Sequence, residues 1–216
     1  MGYFPFFAEI ENTRWLIVGG GAVAFRKARE LLPFGVHIQV VAPEISRDFK
    51  ELKGEGAWRE KLRLAERGFE EEDLFEAQFV IAATSCQKLN RKVGVLCKNR
   101  GIPVNSSDGK GECSFLFPSL IKDGAVTVGI STEGTSPALA HLIKTRLSFA
   151  VPKGIGRLAE QLGSVRDQVK DACCGSPDIR TAVFRQLAKE GLDHGCLLTD
   201  EMIQEIIKRK LEEKYE

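Results

Sequence analysis

A glycine triplet, Gly19-Gly20-Gly21, separates a strand-length apolar run from a stretch of helical periodicity. Upstream stands Trp15-Leu16-Ile17-Val18, and downstream Val23 to Leu32 carries apolar residues at helical spacing. Strand, glycine turn and helix in this order are the context in which a G-x-G-x-x-A pattern binds a dinucleotide. Glycine at 19 permits a tight turn, and glycine at 21 lets the backbone approach a pyrophosphate. Ala24 is small enough for the helix to pack near the strand. The helix N-terminus then presents unpaired N–H groups and a partial positive charge to the anion.

Length and charge bound the remaining possibilities. The 216 residues suffice for one full domain and a smaller second one. A formal net charge of +1 gives no bulk field to attract nucleic acid or an anionic membrane, so neither is expected as a partner. No apolar run approaches the roughly 20 residues of a membrane helix. The segment Met1 to Phe7 is apolar but too short, and without the basic lead-in, for a secretion signal; cytoplasm is the expected compartment. Six cysteines show no C-x-x-C spacing and three histidines lie far apart, so neither a disulfide framework nor a metal centre is expected.

Alternation of apolar runs with helical patterns predicts an α/β fold with a Rossmann-like, mostly parallel sheet in the N-terminal half. Strands are expected at 15–18, 36–42, 58–65, 79–83 and 102–105, with helices at 23–32, 46–53 and 89–99 and a short helix opening at Glu70. Ser46 is the cap candidate of the second helix. The pattern then changes. Residues 114–121 and 125–131, around a Lys122-Asp123-Gly124 turn, read as a β-hairpin, followed by a helix through Leu147 with Ser136 at its N-cap and Pro137 at its first position. An apolar hairpin outside the sheet is poorly buried by its own chain, so a homodimer is expected. Helical periods at 154–173, 177–190 and 199–214 complete an all-helical tail. The expected divisions are 1–112, 113–150 and 151–216.

Ligands of open α/β sheets bind at the carboxyl rim of the strands. At the end of the second strand, Val41-Ala42-Pro43 precedes Glu44, so either Glu44 or backbone near Pro43 takes the adenosine ribose. Arg47 is the nearest arginine, which favours NAD over NADP. Small residues, Ala82-Ala83-Thr84-Ser85, end the fourth strand where a nicotinamide ribose can pass. After the fifth strand, Asn105-Ser106-Ser107-Asp108 brings a carboxylate to the same rim. The hydroxyl-rich Ser131 to Ser136 loop precedes a helix carrying His141, Lys144 and Arg146.

Five ordered motifs across residues 3 to 150 resemble the precorrin-2 dehydrogenase family, the sirohydrochlorin-forming enzymes. They are Tyr3-Phe4-Pro5, the Val18 to Lys27 glycine signature, Val40 to Glu44 with Ile81 to Thr84, the set Asn105, Asp108, Cys113, Phe115 and Pro118, and Ile130 to Ala140. The resemblance implies an NAD-binding domain, a dimerising hairpin-and-helix domain and a helical tail. It also implies oxidation of precorrin-2 by NAD with loss of a hydride and a proton. The family's essential aspartate falls on Asp108, and its cofactor contacts fall on Ala22, Val23, Pro43, Glu44 and near Thr84, beside Gly19 and Gly21. A carboxylate-rich macrocycle calls for cationic and hydroxyl groups, here Lys110, Thr132, His141 and Lys144. Some relatives also insert ferrous iron into the product. Ser106-Ser107 makes the pocket wall more polar than in relatives, and Gly109-Lys110-Gly111 replaces a commoner proline-bearing turn. The rival reading is a non-catalytic NAD-sensing dimer, which needs the glycine turn but has no use for Asp108.

Overall fold

Five parallel strands, β1 (Arg14–Val18), β2 (His37–Ala42), β3 (Leu62–Glu66), β4 (Phe79–Ala82) and β5 (Val104–Ser106), pair in the order β3-β2-β1-β4-β5. They belong to the first of two units, residues 1–117 and 118–216, of a computed structural model that describes residues 3–54, 56–107 and 113–213. Strand β1 is central because its side chains can be buried on both faces. Trp15 and Ile17 face one core with Ala24, Ala28 and Leu31 of α1 (Ala22–Leu31) and Phe49 of α2 (Arg47–Gly54). Leu16 and Val18 face a second core with Val93 and Cys97 of α3 (Gln87–Asn99). Alternation along a strand sends successive side chains to opposite faces, so one apolar run serves two helical layers.

Both β2 and β4 pair with β1 in parallel register, Val18 standing opposite Val41 and Ala82. The chain leaves β1 toward β2 and later returns to the other side at β4. In open α/β sheets such a reversal marks the carboxyl ends of the two strands, here β1 and β4, as the place where ligands bind.

The second unit begins with the antiparallel pair β6 (Ser119–Asp123) and β7 (Val126–Ile130), then α4 (Pro137–Ala150). Ser136 caps α4 by accepting the Leu139 N–H at 3.2 Å, with Pro137 at the first helical position, as expected. Four more helices, α5 (Ile155–Ser164), α6 (Arg166–Ala172), α7 (Pro177–Asp193) and α8 (Asp200–Glu212), close around Leu158, Val169, Val183, Leu187 and Ile203.

Several expected boundaries are corrected. Strand β3 starts at Leu62, because the N–H groups of Lys61 and Leu62 turn back to Trp58 O at 3.1 and 2.9 Å. Residues 114–117 are no hairpin strand: Ser114 N donates to Val104 O at 2.8 Å, and Phe115 and Phe117 pack on the first core. The hairpin turn is Gly124-Ala125, with Gly124 at φ +52°, since Lys122 and Asp123 still pair with β7. Strand β5 starts two residues later and ends one residue later, at Ser106, than the expected 102–105. The helix expected from 154 to 173 breaks at Val165, where Ser164 Oγ donates to Gln161 O at 2.8 Å and competes with the helical ladder. Ser46 does not cap α2; its hydroxyl is buried without a hydrogen-bond partner among the described residues.

None of the six cysteines is in a disulfide, and Cys173 is buried while its neighbour Cys174 is exposed. Among the described residues, no helix is long and apolar enough to cross a membrane.

Candidate functional site

The turn after β1 is held by its backbone. Gly19 N donates to Val41 O at 2.9 Å, Ala83 N donates to Val18 O at 2.8 Å, and Ser46 N donates to Gly20 O at 3.0 Å. The ends of β1, β2 and β4 are thereby laced together around the glycines. Gly19 sits at φ +126°, and a Cβ there would collide with the Ala83 carbonyl. A Cβ on Gly20 would collide with Glu44 O, a close approach that the sequence reading had not assigned to this residue.

Gly21 differs from both. It has φ −88° and faces open space, with no atom within 4 Å of a Cβ built on it. It stands at the N-cap of α1 without any side-chain hydrogen bond, and the first turn carries no acidic residue. Gly21, Ala22 and Val23 are exposed. The result is a helix N-terminus whose free N–H groups and partial positive charge face an open cradle bordered by glycine, an arrangement that fits a pyrophosphate. The partnerless Ser46 hydroxyl, next to the same turn, is a further polar group that a ligand or water can satisfy.

Pro43 and Glu44 are exposed at the carboxyl end of β2, and Arg47 beyond them is engaged by Glu51 at 2.7 Å. Thr84, at the end of β4, is immobilised by the fully buried Asn90. Asn90 Oδ1 accepts from Thr84 N at 3.1 Å and from Thr84 Oγ1 at 2.7 Å, while Asn90 Nδ2 donates to Thr84 O at 2.9 Å. The Thr84 hydroxyl also accepts the Cys86 N–H at 3.1 Å. Thr84 therefore contributes a rigid backbone edge, its side chain being used internally.

Of the residues expected at the site, Gly19, Gly21, Ala22, Val23, Pro43, Glu44 and Thr84 share this rim of the first unit. Asp108 and Lys110 lie outside the described residues. Thr132, His141 and Lys144 belong to the second unit. There, Thr132 Oγ1 accepts from Ser136 N at 3.2 Å and closes the loop before α4, His141 is exposed on α4 and Lys144 is half-buried one turn on.

Sequence reasoning missed a polar cluster beneath the end of β5. Lys27 of α1 is 8% exposed and donates from Nζ to Asn105 Oδ1, with Nζ 4.8 Å from the Phe117 ring centroid. Burial pulls its ammonium down from 10.5 to about 8, against the opposing pull of Cys113. Asn105 passes the contact on, Nδ2 donating to Phe115 O at 2.9 Å. Ser106 N donates to Cys113 Sγ at 3.1 Å. The available signal was a charged residue three positions after Ala24, on the face of α1 that Ala24, Ala28 and Leu31 bury.

An open parallel sheet whose first strand feeds a glycine turn and an uncapped helix defines a Rossmann-type dinucleotide-binding domain. The chain belongs to the family whose model is described as "Putative NAD(P)-binding" (NAD_binding_7), which matches residues 6–119. It is 38% identical over 170 residues to a siroheme synthase of Nitrosospira multiformis, covering 79% of this chain and 36% of that protein. A siroheme synthase of Neisseria meningitidis serogroup B is 40% identical over 170 residues, covering 79% of this chain and 34% of the relative. The chain thus spans about a third of the length of these curated relatives. A solved structure described as "SirC, precorrin-2 dehydrogenase" matches the fold with a TM-score of 0.70, over 97% of this chain and 100% of that one, at 24% identity.

Proposed function

We propose that the chain is an NAD-dependent dehydrogenase that oxidises precorrin-2 to sirohydrochlorin. The observation that carries this reading is the turn at Gly19 to Gly21, open at Gly21 and backed by the uncapped N-terminus of α1, in a chain whose relatives are siroheme synthases. The bound nicotinamide supplies the hydride acceptor. The chain's own groups do the rest. First-turn N–H groups of α1 hold the pyrophosphate, and Pro43 and Glu44 flank the adenosine ribose. NAD is preferred to NADP because Glu44 is exposed there while Arg47, the nearest arginine in sequence, is paired with Glu51.

The backbone at Thr84, fixed by Asn90, forms the edge beside the nicotinamide. Asp108 follows β5 in sequence and is assigned as the general base for the proton that leaves with the hydride, a role contributing about 10²- to 10⁴-fold. Lys110, Thr132, His141 and Lys144 are assigned to the substrate carboxylates. The half-buried hairpin and the exposed Leu142 and Phe149 of α4 support pairing of two copies as a homodimer.

Addition of precorrin-2 and NAD+ is expected to produce the absorbance of sirohydrochlorin, and ferrous iron added to the product reads metal insertion separately. The Asp108→Ala variant is expected to bind NAD+ normally and to turn over no precorrin-2. A fully active Asp108→Ala enzyme overturns the assignment, and NAD+ binding without turnover by the unaltered chain replaces it with the NAD-sensing dimer.

A further inference from the structure

Lys27 is a long cation placed where a small apolar residue would pack without cost. Its helical neighbours on the same face, Ala24 and Ala28, are fully buried in the first core. A buried ammonium persists only when it is paired or hydrogen-bonded. Here it has Asn105 Oδ1 as acceptor and the face of the Phe117 ring as a second, electrostatic partner.

In sequence, Asn105 precedes and Phe117 follows residues 108–112. Asn105 is the middle residue of β5 and Phe117 ends the returning chain. Between them runs a short ladder: Ser114 N to Val104 O at 2.8 Å, Val104 N to Ser114 Oγ at 2.7 Å, Asn105 Nδ2 to Phe115 O at 2.9 Å, and Ser106 N to Cys113 Sγ at 3.1 Å. The Lys27 ammonium clamps both rails of this ladder from below.

We propose that Lys27 is a positioning residue, whose buried ammonium, bound to Asn105 and seated on Phe117, fixes the two ends of the segment that carries Asp108. The proposal rests on the dehydrogenase reading for its kinetic consequences alone; the clamp itself is testable without substrate. Removing the ammonium leaves Asn105 Oδ1 buried and unpaired, and frees the Asn105 amide to turn away from Phe115 O. Misplacement by about 1 Å at such a site costs on the order of 100-fold in rate. Because a buried charge is also removed, global stability is not expected to fall.

The titratable groups acting on Lys27 are the Cys113 thiol, Arg26 and Glu30. As the ammonium titrates near pH 8, activity of the unaltered enzyme is expected to decline on the alkaline side of that value. Lys27→Arg keeps a charge that does not titrate there and is expected to lose this limb, whereas Cys113→Ser is expected to keep it.

The decisive experiment combines hydrogen exchange with kinetics on the full chain. In Lys27→Met, the amides of Ser106, Ser107 and Ser114 are expected to exchange at least about tenfold faster, with those of Ile17 and Val40 unchanged, from loss of a hydrogen bond to a charged group. NAD+ affinity is expected to stay within about twofold while kcat falls about 100-fold. Unchanged exchange at the three serines overturns the clamp whatever the substrate proves to be. Altered exchange with full kcat, or an alkaline limb that survives Lys27→Arg or vanishes in Cys113→Ser, overturns its positioning role.

Discussion

Gly19 and Ala83 meet so closely at the carboxyl ends of β1 and β4 that a Cβ on Gly19 would overlap the Ala83 carbonyl. Gly19 also holds φ +126°, a conformation that L side chains rarely adopt. Gly19→Ala is therefore expected to cost about 2–3 kcal/mol of stability and to lose NAD+ binding. Gly21→Ala, with ordinary φ and open space, is expected to unfold like the parent while binding NAD+ at least about tenfold more weakly, because its methyl enters the pyrophosphate cradle. Urea unfolding and coenzyme titration of both variants check the contrast; equal effects at the two glycines would refute it.

Asn90 makes three hydrogen bonds to Thr84 from a fully buried position on α3. Asn90→Ala leaves the Thr84 N–H without that acceptor and removes the tether of the β4 rim. A loss of about 1–3 kcal/mol is expected, together with weaker coenzyme binding. Denaturant midpoints measure the first, and NAD+ titration measures the second.

The pH dependence of stability follows from two buried groups of opposite sign. Burial lowers Lys27 from 10.5 to about 8, so between these values the unfolded chain holds a proton that the folded chain lacks, and stability rises with pH. Burial raises Cys97 from 9.0 to about 11, so between those values the folded chain holds the extra proton, and stability falls with pH. The net expectation is a rise from pH 8 to 9, on the order of 1 kcal/mol, and a plateau to about pH 10.5. Unfolding of Lys27→Met is expected to lack the rise, and that of Cys97→Ala to continue rising where the parent levels off. A pH-independent difference between parent and variants would contradict both assignments.

In the second unit, Gly156 of α5 lies against the hairpin tip, where an added Cβ would strike Asp123 O and approach Gly124 Cα at 2.6 Å. Asp123 Oδ2 accepts the Gly154 N–H at 2.7 Å and fixes the same contact. Because the obstructing atoms are backbone, Gly156→Ala is expected to destabilise this unit by about 1–3 kcal/mol. Hydrogen exchange across β6, β7 and α5 should rise while β1 keeps its protection.

The first strand, glycine turn and α1 were legible because strand and helix each have their own local period and two of the three glycines, Gly19 and Gly20, fall where no side chain fits. Apolar runs without an unambiguous period were less so. Phe115 and Phe117 look like strand residues, yet they leave the hairpin: Phe115 meets Trp15 and Phe79 edge-on, with ring centroids 5.9 and 6.1 Å away, and Phe117 lies tilted against Phe115. The break at Val165 was equally hidden, since apolar positions on both sides of it share one helical spacing.

Residue order alone determined the α/β class, the nucleotide turn and the cap at Ser136, because hydrogen bonds and side-chain periods within a few residues decide them. Tertiary structure alone decided that Lys27 meets Asn105, 78 positions away, that Asn90 locks Thr84, and that Ser46 is left without a partner. Such contacts depend on how helices lie across a twisted sheet, and burial turns each one from a surface detail into an energetic constraint.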